Sequence, residues 1–246
     1  MDNLFVASEE QWSPSKRNKL FAWSTHFFTA SGVIWGFLAI LAITSHDWLA
    51  AFVWMAAATF VDSFDGLLAR RARVKEVVPQ FDGALLDNMV DFLNYVIIPA
   101  FFIYEAGFLP ERFAHFGVFC VMLSSAYQFC QSDAKTDDHY FKGFPSYWNI
   151  LAFYLLFLGL SPWANLFITV GLAILVFVPI KYVYPSRTEQ FRKATMIMSL
   201  LWGIICITMM VQYPNTDQRL VWLSLIFAVY YIAISLYATL THREDV

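Results

Sequence analysis

Long apolar runs, separated by short polar stretches, dominate this chain. Eight runs read as bilayer-crossing helices, at 21–44, 48–69, 84–104, 113–131, 147–160, 163–180, 194–211 and 220–240. Most come near the ~20 residues that a helix needs to cross the hydrocarbon core. The fifth is short, and Ser161-Pro162 makes it a tight hairpin with the sixth. Ahead of the first run, Trp12-Ser13-Pro14-Ser15 leads into Lys16, Arg17 and Lys19. That pattern predicts a capped interfacial helix within residues 1–19, lying on an anionic leaflet. Residues 1–19 also carry Glu9 and Glu10 and lack a small-residue cleavage site, so no secretory signal is expected. With no internal repeat or low-complexity tract, residues 1–246 are expected to form one membrane domain, with 20–240 as its bundle. The expected fold class is all-α, a polytopic membrane helix bundle of about eight transmembrane helices plus the N-terminal interfacial helix.

Composition agrees with that pattern. Hydrophobic residues make up 59% of the chain and aromatics 19%, with a mean hydropathy of +0.54. Soluble domains sit at roughly 45–50% apolar, which sets this chain apart from them. The net charge of -3 says little, but its distribution says more. With the N-terminus inside, every Lys and Arg except Arg112 and Arg219 falls in a cytoplasmic segment. The positive-inside rule then places both termini in the cytoplasm. Cys120, Cys130 and Cys206 lie in apolar runs and are spaced for neither a metal knot nor a disulfide framework. No nucleic-acid partner is expected.

The chemistry concentrates between Asp62 and Asp91. Asp62 and Asp65 close the second run, and Asp87 and Asp91 sit inside the third, among Leu85, Leu86, Met89, Val90 and Phe92. Carboxylates within membrane spans are costly and mark functional sites by default. Asp62 and Asp65 are spaced i, i+3, and Asp87 and Asp91 i, i+4, so each pair occupies one helix face. The short connection 71–82 makes the two helices antiparallel neighbours, with both pairs at similar depth. Four converging carboxylates repel one another. Hard divalent cations relieve that repulsion, and all-oxygen donors suit Mg²⁺ or Mn²⁺. Two metals sharing such a cluster is the arrangement of many phosphoryl-group enzymes. Gly66 and Gly83 flank the acids where a backbone can approach a ligand, Ala69 is small on the same face, and Arg70 suits bidentate phosphate binding. The plainer reading makes the glycines packing residues and Arg70, Arg71, Arg73 and Lys75 interfacial anchors.

The string Asp62-x2-Asp65-Gly66-x2-Ala69-Arg70, followed by Gly83-x3-Asp87-x3-Asp91, resembles the signature of the CDP-alcohol phosphatidyltransferases. The spacer 71–82 is longer than the family's usual one. That longer form is similar to the bacterial branch that passes the phosphatidyl group to choline. Gly143-Phe144-Pro145-Ser146-Tyr147-Trp148-Asn149 and Pro179-Ile180-Lys181-Tyr182-Val183-Tyr184-Pro185 also resemble segments of that branch. The resemblance implies that Asp62, Asp65, Asp87 and Asp91 hold two divalent ions, Mn²⁺ or Mg²⁺. It implies that Asp91 is the base that deprotonates the alcohol. Gly66, Ala69, Arg70 and Gly83 are implied to form the wall for the CDP moiety. Thr29, in Thr25-His26-Phe27-Phe28-Thr29, stands where the family has a nucleotide-facing Thr, and the accompanying Asn has no match. The implied partners are CDP-diacylglycerol, choline and membrane lipids, in a homodimer in the bacterial inner membrane.

A quaternary ammonium cannot donate an ordinary N–H hydrogen bond and is bound by aromatic faces. The candidates are Phe144, Tyr147, Trp148, Tyr182 and Tyr184, with Asn149 to orient the hydroxyl. Interfacial belts are rich in the same residues. Lys135, Lys181 and Arg187 are candidate phosphate contacts, with interfacial anchoring as the alternative. His26, His139, Asp133, Asp137 and Asp138 are assigned no role. Two competing readings stand beside choline transfer. One is the same fold acting on serine, glycerol phosphate or inositol phosphate. The other is a divalent-cation transporter, whose acids would sit nearer the midplane.

Overall fold

The computed structural model describes residues 14–134, 136, 138, 140–184, 188 and 191–241. Residues 1–13, Lys135, Arg187 and the C-terminus from 242 lie outside the described residues, and with them most of the expected interfacial segment and two candidate phosphate contacts.

The described chain is a helix bundle. Its first span is a broken pair, α1 (Lys16–Ala30) and α2 (Gly32–Thr44). Ser15 caps α1 by accepting from the Asn18 amide at 3.2 Å, so Lys16 to Lys19 form the first turn of this helix. The Ser31 hydroxyl turns back onto the Phe28 carbonyl at 2.6 Å, at the joint between the two halves. Then follow α3 (Trp48–Arg71), the one-turn α4 (Val74–Val77), α5 (Gly83–Phe92), a π-helical segment Leu93–Ile97 and α6 (Ile98–Glu105). The last three run on as a single span, Gly83–Glu105. A 3₁₀ turn (Glu111–Phe113) leads into α7 (Ala114–Cys130), and α8 (Trp148–Leu158) and α9 (Pro162–Leu175) come next. The chain ends in α10 (Arg192–Gln212) and α11 (Gln218–Thr241).

Six of these units are long and apolar enough to cross a membrane: Lys16–Thr44, Trp48–Arg71, Gly83–Glu105, Glu111–Cys130, Arg192–Gln212 and Gln218–Thr241. The fifth and sixth expected spans are shorter, 11 residues in α8 and 14 in α9. At 1.5 Å per residue they reach only about 17 and 21 Å, against a core of ~30 Å. Their hairpin forms as the sequence suggests: Gly159 ends α8 with φ 58°, and the Ser161 hydroxyl caps α9 by accepting from Ala164 at 3.3 Å.

Lipid tails are as apolar as leucine, so small residues and polar ties must hold membrane helices together. Gly32 and Gly36 show the first device. A β-carbon at either would stand 2.6 Å from Val90 or Asn94, so α2 approaches the third span closely only because both are glycine. Asn94 fills that contact, donating to the Gly32 carbonyl at 3.2 Å and the Val90 carbonyl at 3.0 Å. Polar ties show the second. The Trp148 indole donates to Ser125 Oγ at 2.6 Å, Asn165 donates to the Phe108 carbonyl at 2.9 Å, and Tyr154 joins Ser224 and Trp202 at 3.0 and 2.9 Å. Around these ties Phe52, Phe102, Phe153 and Ile103 pack as the apolar centre.

One element is absent from the helical expectation. Tyr140–Lys142 (β1) and Lys181–Val183 (β2) pair as a two-stranded antiparallel sheet, with Tyr140 opposite Val183 and Phe141 opposite Tyr182. The hydropathy pattern marks both stretches only as loops. The pairing joins segments some forty residues apart and leaves no periodic signal in three-residue strands.

Candidate active site

The four acids are set in place by the connection between α3 and α5. After Arg71 the chain turns through Arg73 at φ 48°, makes the single turn of α4 and re-enters the bundle at Asp82. Asp82 caps α5 by accepting from the amides of Ala84 and Leu85 at 3.1 and 3.0 Å. Ala72, Val74, Val77 and Val78 are buried against Ala22 of α1, with Ala69 alongside. The long spacer is therefore a small apolar plug that holds α3 and α5 at a fixed offset. Counted along their helices from this plug, Asp62 and Asp91 both lie about 12–14 Å in. The expected equality of depth holds.

Asp62, Asp87 and Asp91 each turn an oxygen inward, and these ligand atoms all lie within 4.8 Å of one another. Asp65 is buried beside this triad, next to Asp87, Asp62 and the Thr29 hydroxyl of α1. Asp91 faces the other three carboxylates. A cluster of oxygen donors this tight fits a hard divalent cation, since Mg²⁺ and Mn²⁺ take carboxylate oxygens and neutralise the repulsion among them.

Tyr95 completes the group, and sequence reasoning missed it. Its hydroxyl donates to Asp62 Oδ2 at 2.7 Å. It stands four residues after Asp91, on the same expected helix face, which is the signal that was available. Its side chain is carried by the π-helical segment Leu93–Ile97, an irregularity often found at functional sites. With one Asp62 oxygen held by Tyr95, the carboxylate is fixed in rotation.

The CDP-wall candidates divide. Arg70 is exposed, and a β-carbon on Gly66 would stand 3.3 Å from its Nη1, so the guanidinium folds back along α3 in the direction of the acids. Thr29 stands beside Asp65. Ala69 and Gly83 have neighbours within the protein. Ala69 packs on the apolar plug. A β-carbon at Gly83 would meet the His26 ring at 2.6 Å, so the space that Gly83 leaves is taken by a side chain of α1. His26 is buried there between Phe81, at 4.5 Å, and Trp23, at 5.9 Å.

The acceptor candidates also divide. Phe141 and Tyr184 stack at 4.8 Å, and Tyr147 meets Phe141 edgewise and Tyr231 at a tilt, at 6.4 Å each. Tyr182 lies 6.2 Å from Phe144 and 6.2 Å from Tyr231. Burial pushes the Tyr182 phenol up, so it stays protonated and uncharged. Tyr147 lies within the electrostatic field of Asp62 and Asp91. It opens α8, which packs on the π-helical segment that carries Tyr95. Three candidates have partners of their own. Trp148 is fully enclosed on Ser125. The Asn149 side-chain oxygen accepts from the Ile150 amide at 2.9 Å, so it serves the start of α8. The Lys181 ammonium is buried 3.0 Å from Asp138 and 5.9 Å from the Tyr140 ring, engaged within the loops. Tyr231, from α11, is a second residue that sequence reasoning missed, and nothing in its own segment marks it.

Comparison with known proteins agrees with this geometry. The profile of the CDP-alcohol phosphatidyltransferase family matches residues 25–179, more than half of the chain. The chain is 43% identical over 234 residues to a phosphatidylcholine synthase of Legionella pneumophila, covering 92% of each chain. It is 41% identical to one from Legionella bozemanae, covering 83% of this chain and 97% of that one. It is 40% identical to one from Pseudomonas aeruginosa, covering 89% and 92%.

Proposed function

The chain belongs to the CDP-alcohol phosphatidyltransferase family, and we propose that it is the member that joins choline to CDP-diacylglycerol, releasing phosphatidylcholine and CMP. It is an integral membrane enzyme of phospholipid synthesis. The observation that carries the choice of acceptor is the aromatic group of Phe141, Tyr147, Tyr182, Tyr184 and Tyr231, whose member Tyr147 lies within the electrostatic field of Asp62 and Asp91. Uncharged aromatic faces suit a quaternary ammonium. An anionic acceptor such as glycerol phosphate would need cations there, and the Lys181 ammonium is instead held by Asp138.

Each residue has a separate task. Asp62, Asp65, Asp87 and Asp91 would hold two divalent ions, Mn²⁺ or Mg²⁺, which would supply positive charge against the pyrophosphate and the leaving CMP. Tyr95 holds Asp62 in its liganding rotamer. Arg70 and Thr29 receive the CDP phosphates and nucleoside at the mouth of the site. The aromatic group places the choline hydroxyl against Asp91, which takes its proton. The choline oxygen then bonds to the phosphorus that carries diacylglycerol, and the bond from that phosphorus to the CMP oxygen breaks. Such a base contributes roughly 10²–10⁴-fold. The diacylglycerol chains stay in lipid throughout.

The distribution of Lys and Arg supports an orientation with both termini in the cytoplasm and the acids beneath the inner leaflet. The relatives are bacterial, which supports the inner membrane as the location. Ties that run from α8 to α10 and α11 support a single membrane domain.

The test is CMP release by purified protein given CDP-diacylglycerol, Mn²⁺ and one labelled alcohol at a time. Choline is expected to support release, and a chelator to abolish it until Mn²⁺ is restored. Incorporation of serine or glycerol phosphate with choline inert would overturn the proposal.

A further inference from the structure

The acceptor wall has a support that no signature residue supplies. Strand β2 pairs with β1 along one edge, and its other edge is gripped by a single face of α11. The Tyr231 hydroxyl donates to the Val183 carbonyl at 2.9 Å. The Val183 amide donates to Ser235 Oγ at 3.3 Å, and the Lys181 amide donates to Thr239 Oγ1 at 2.8 Å. Tyr231, Ser235 and Thr239 are spaced i, i+4, i+8, so they form one row along the helix. A strand edge otherwise leaves these backbone groups unpaired, which in a buried setting costs the better part of a hydrogen bond each. The row therefore replaces a third strand. It also aims the aromatics, because β2 carries Tyr182 and leads directly into Tyr184, while the Tyr231 ring stacks on Tyr182 and leans on Tyr147.

The likeness to other proteins points the same way. The family profile ends at residue 179, before β2 and α11. The likeness to the Legionella pneumophila phosphatidylcholine synthase covers 92% of the chain, and so must take in most of the residues beyond 179. The row thus lies beyond the part of the chain that the family profile matches.

We propose that the last helix sets acceptor selectivity, with Tyr231 as the positioning residue that holds Tyr147 and Tyr182 as a wall for a methylated ammonium group. This rests on choline being the acceptor. It extends that reading by placing discrimination between alcohols in a helix that carries none of the signature acids.

The test compares Tyr231→Phe, which keeps the ring and loses the tie to Val183, with Tyr231→Leu, which loses both. Each is assayed for kcat/KM with choline and with ethanolamine, however slow the latter, and for KM with CDP-diacylglycerol. Ethanolamine carries a strongly hydrated primary ammonium that gains less from an aromatic wall. In Tyr231→Leu, kcat/KM for choline is expected to fall roughly 10–30-fold, the size of a desolvated cation–π contact. The ethanolamine value and the KM for CDP-diacylglycerol are expected to stay within about two-fold, measured against the same scale. Tyr231→Phe is expected to fall between wild type and Tyr231→Leu, by raising KM for choline alone, and it carries the test if the Leu variant does not fold. An equal loss with both alcohols, or an unchanged preference in a folded variant, overturns the proposal. A wild-type enzyme that does not use choline overturns the acceptor reading itself, which separates the two failures.

Discussion

Asp62, Asp65, Asp87 and Asp91 come from two consecutive helices joined by one apolar plug, whereas Phe141, Tyr147, Tyr182, Tyr184 and Tyr231 come from three segments far apart in the chain. The first group is placed by helix periodicity and a short connection. Its geometry survives wherever α3 and α5 form. The second group is placed by a three-residue strand pairing and by a row of side chains on α11. Its geometry depends on distant parts of the chain meeting. On the proposed roles, the reaction and the choice of alcohol rest on separable supports. Damage to the first should stop turnover with every alcohol, and damage to the second should first change which alcohol is used.

The largest expected effect sharpens that division from the side of the acids. With Asp91 as the proposed base, Asp91→Asn keeps an oxygen ligand and removes that base. Turnover is expected to fall roughly 10²–10⁴-fold with every acceptor. The rise in melting temperature on adding Mn²⁺ should persist. Near wild-type CMP release in that variant would remove Asp91 as the base.

Tyr95→Phe is expected to give a smaller effect on the same side. The lost hydrogen bond frees Asp62 to rotate, so the Mn²⁺ concentration needed for half-maximal stabilisation should rise about tenfold, the usual cost of losing an outer-shell partner. At saturating Mn²⁺ the rate should recover to within a few-fold. An unchanged Mn²⁺ requirement would show that Asp62 needs no such support.

The smallest effect concerns the loops that carry the aromatics. Burial alone would raise the Asp138 carboxyl, but hydrogen bonds from Thr136 and Lys181 hold it below the ordinary carboxylate value. A depressed folded value means that the ionised group stabilises the fold above its unfolded pKa, about 4, and that this contribution is lost as pH falls through the folded value. The difference in melting temperature between wild type and Asp138→Asn should therefore be largest near neutrality and close below about pH 4. A difference that persists unchanged into acid would show that the ion pair does not brace the loops.

Some of this was legible in the residues. The acids announce themselves because carboxylates in apolar runs are rare, and their i, i+3 and i, i+4 spacings already place them on single faces. The hairpin at Ser161-Pro162 and the common depth of Asp62 and Asp91 come from equally local cues. Trp148, Asn149 and Lys181 mark the other side. An aromatic, an amide and a cation in a polar loop look equally suited to binding or to packing, and each turned out to satisfy a neighbour. Gly83 shows the same ambiguity, since a missing side chain does not say which group fills the space, and here the His26 ring stands against it.

The linear chain alone determined that this protein is a bundle of membrane helices with a carboxylate site at one end, because hydropathy and helical periodicity act over one or two turns. Only the tertiary structure decided that Tyr95 holds Asp62, that His26 fills the room beside Gly83, and that α11 braces the strand beneath the aromatic wall. These are contacts between segments that approach only after the helices pack, and beyond the shared helix face of Asp91 and Tyr95 no residue carries a local mark of the partner it will meet.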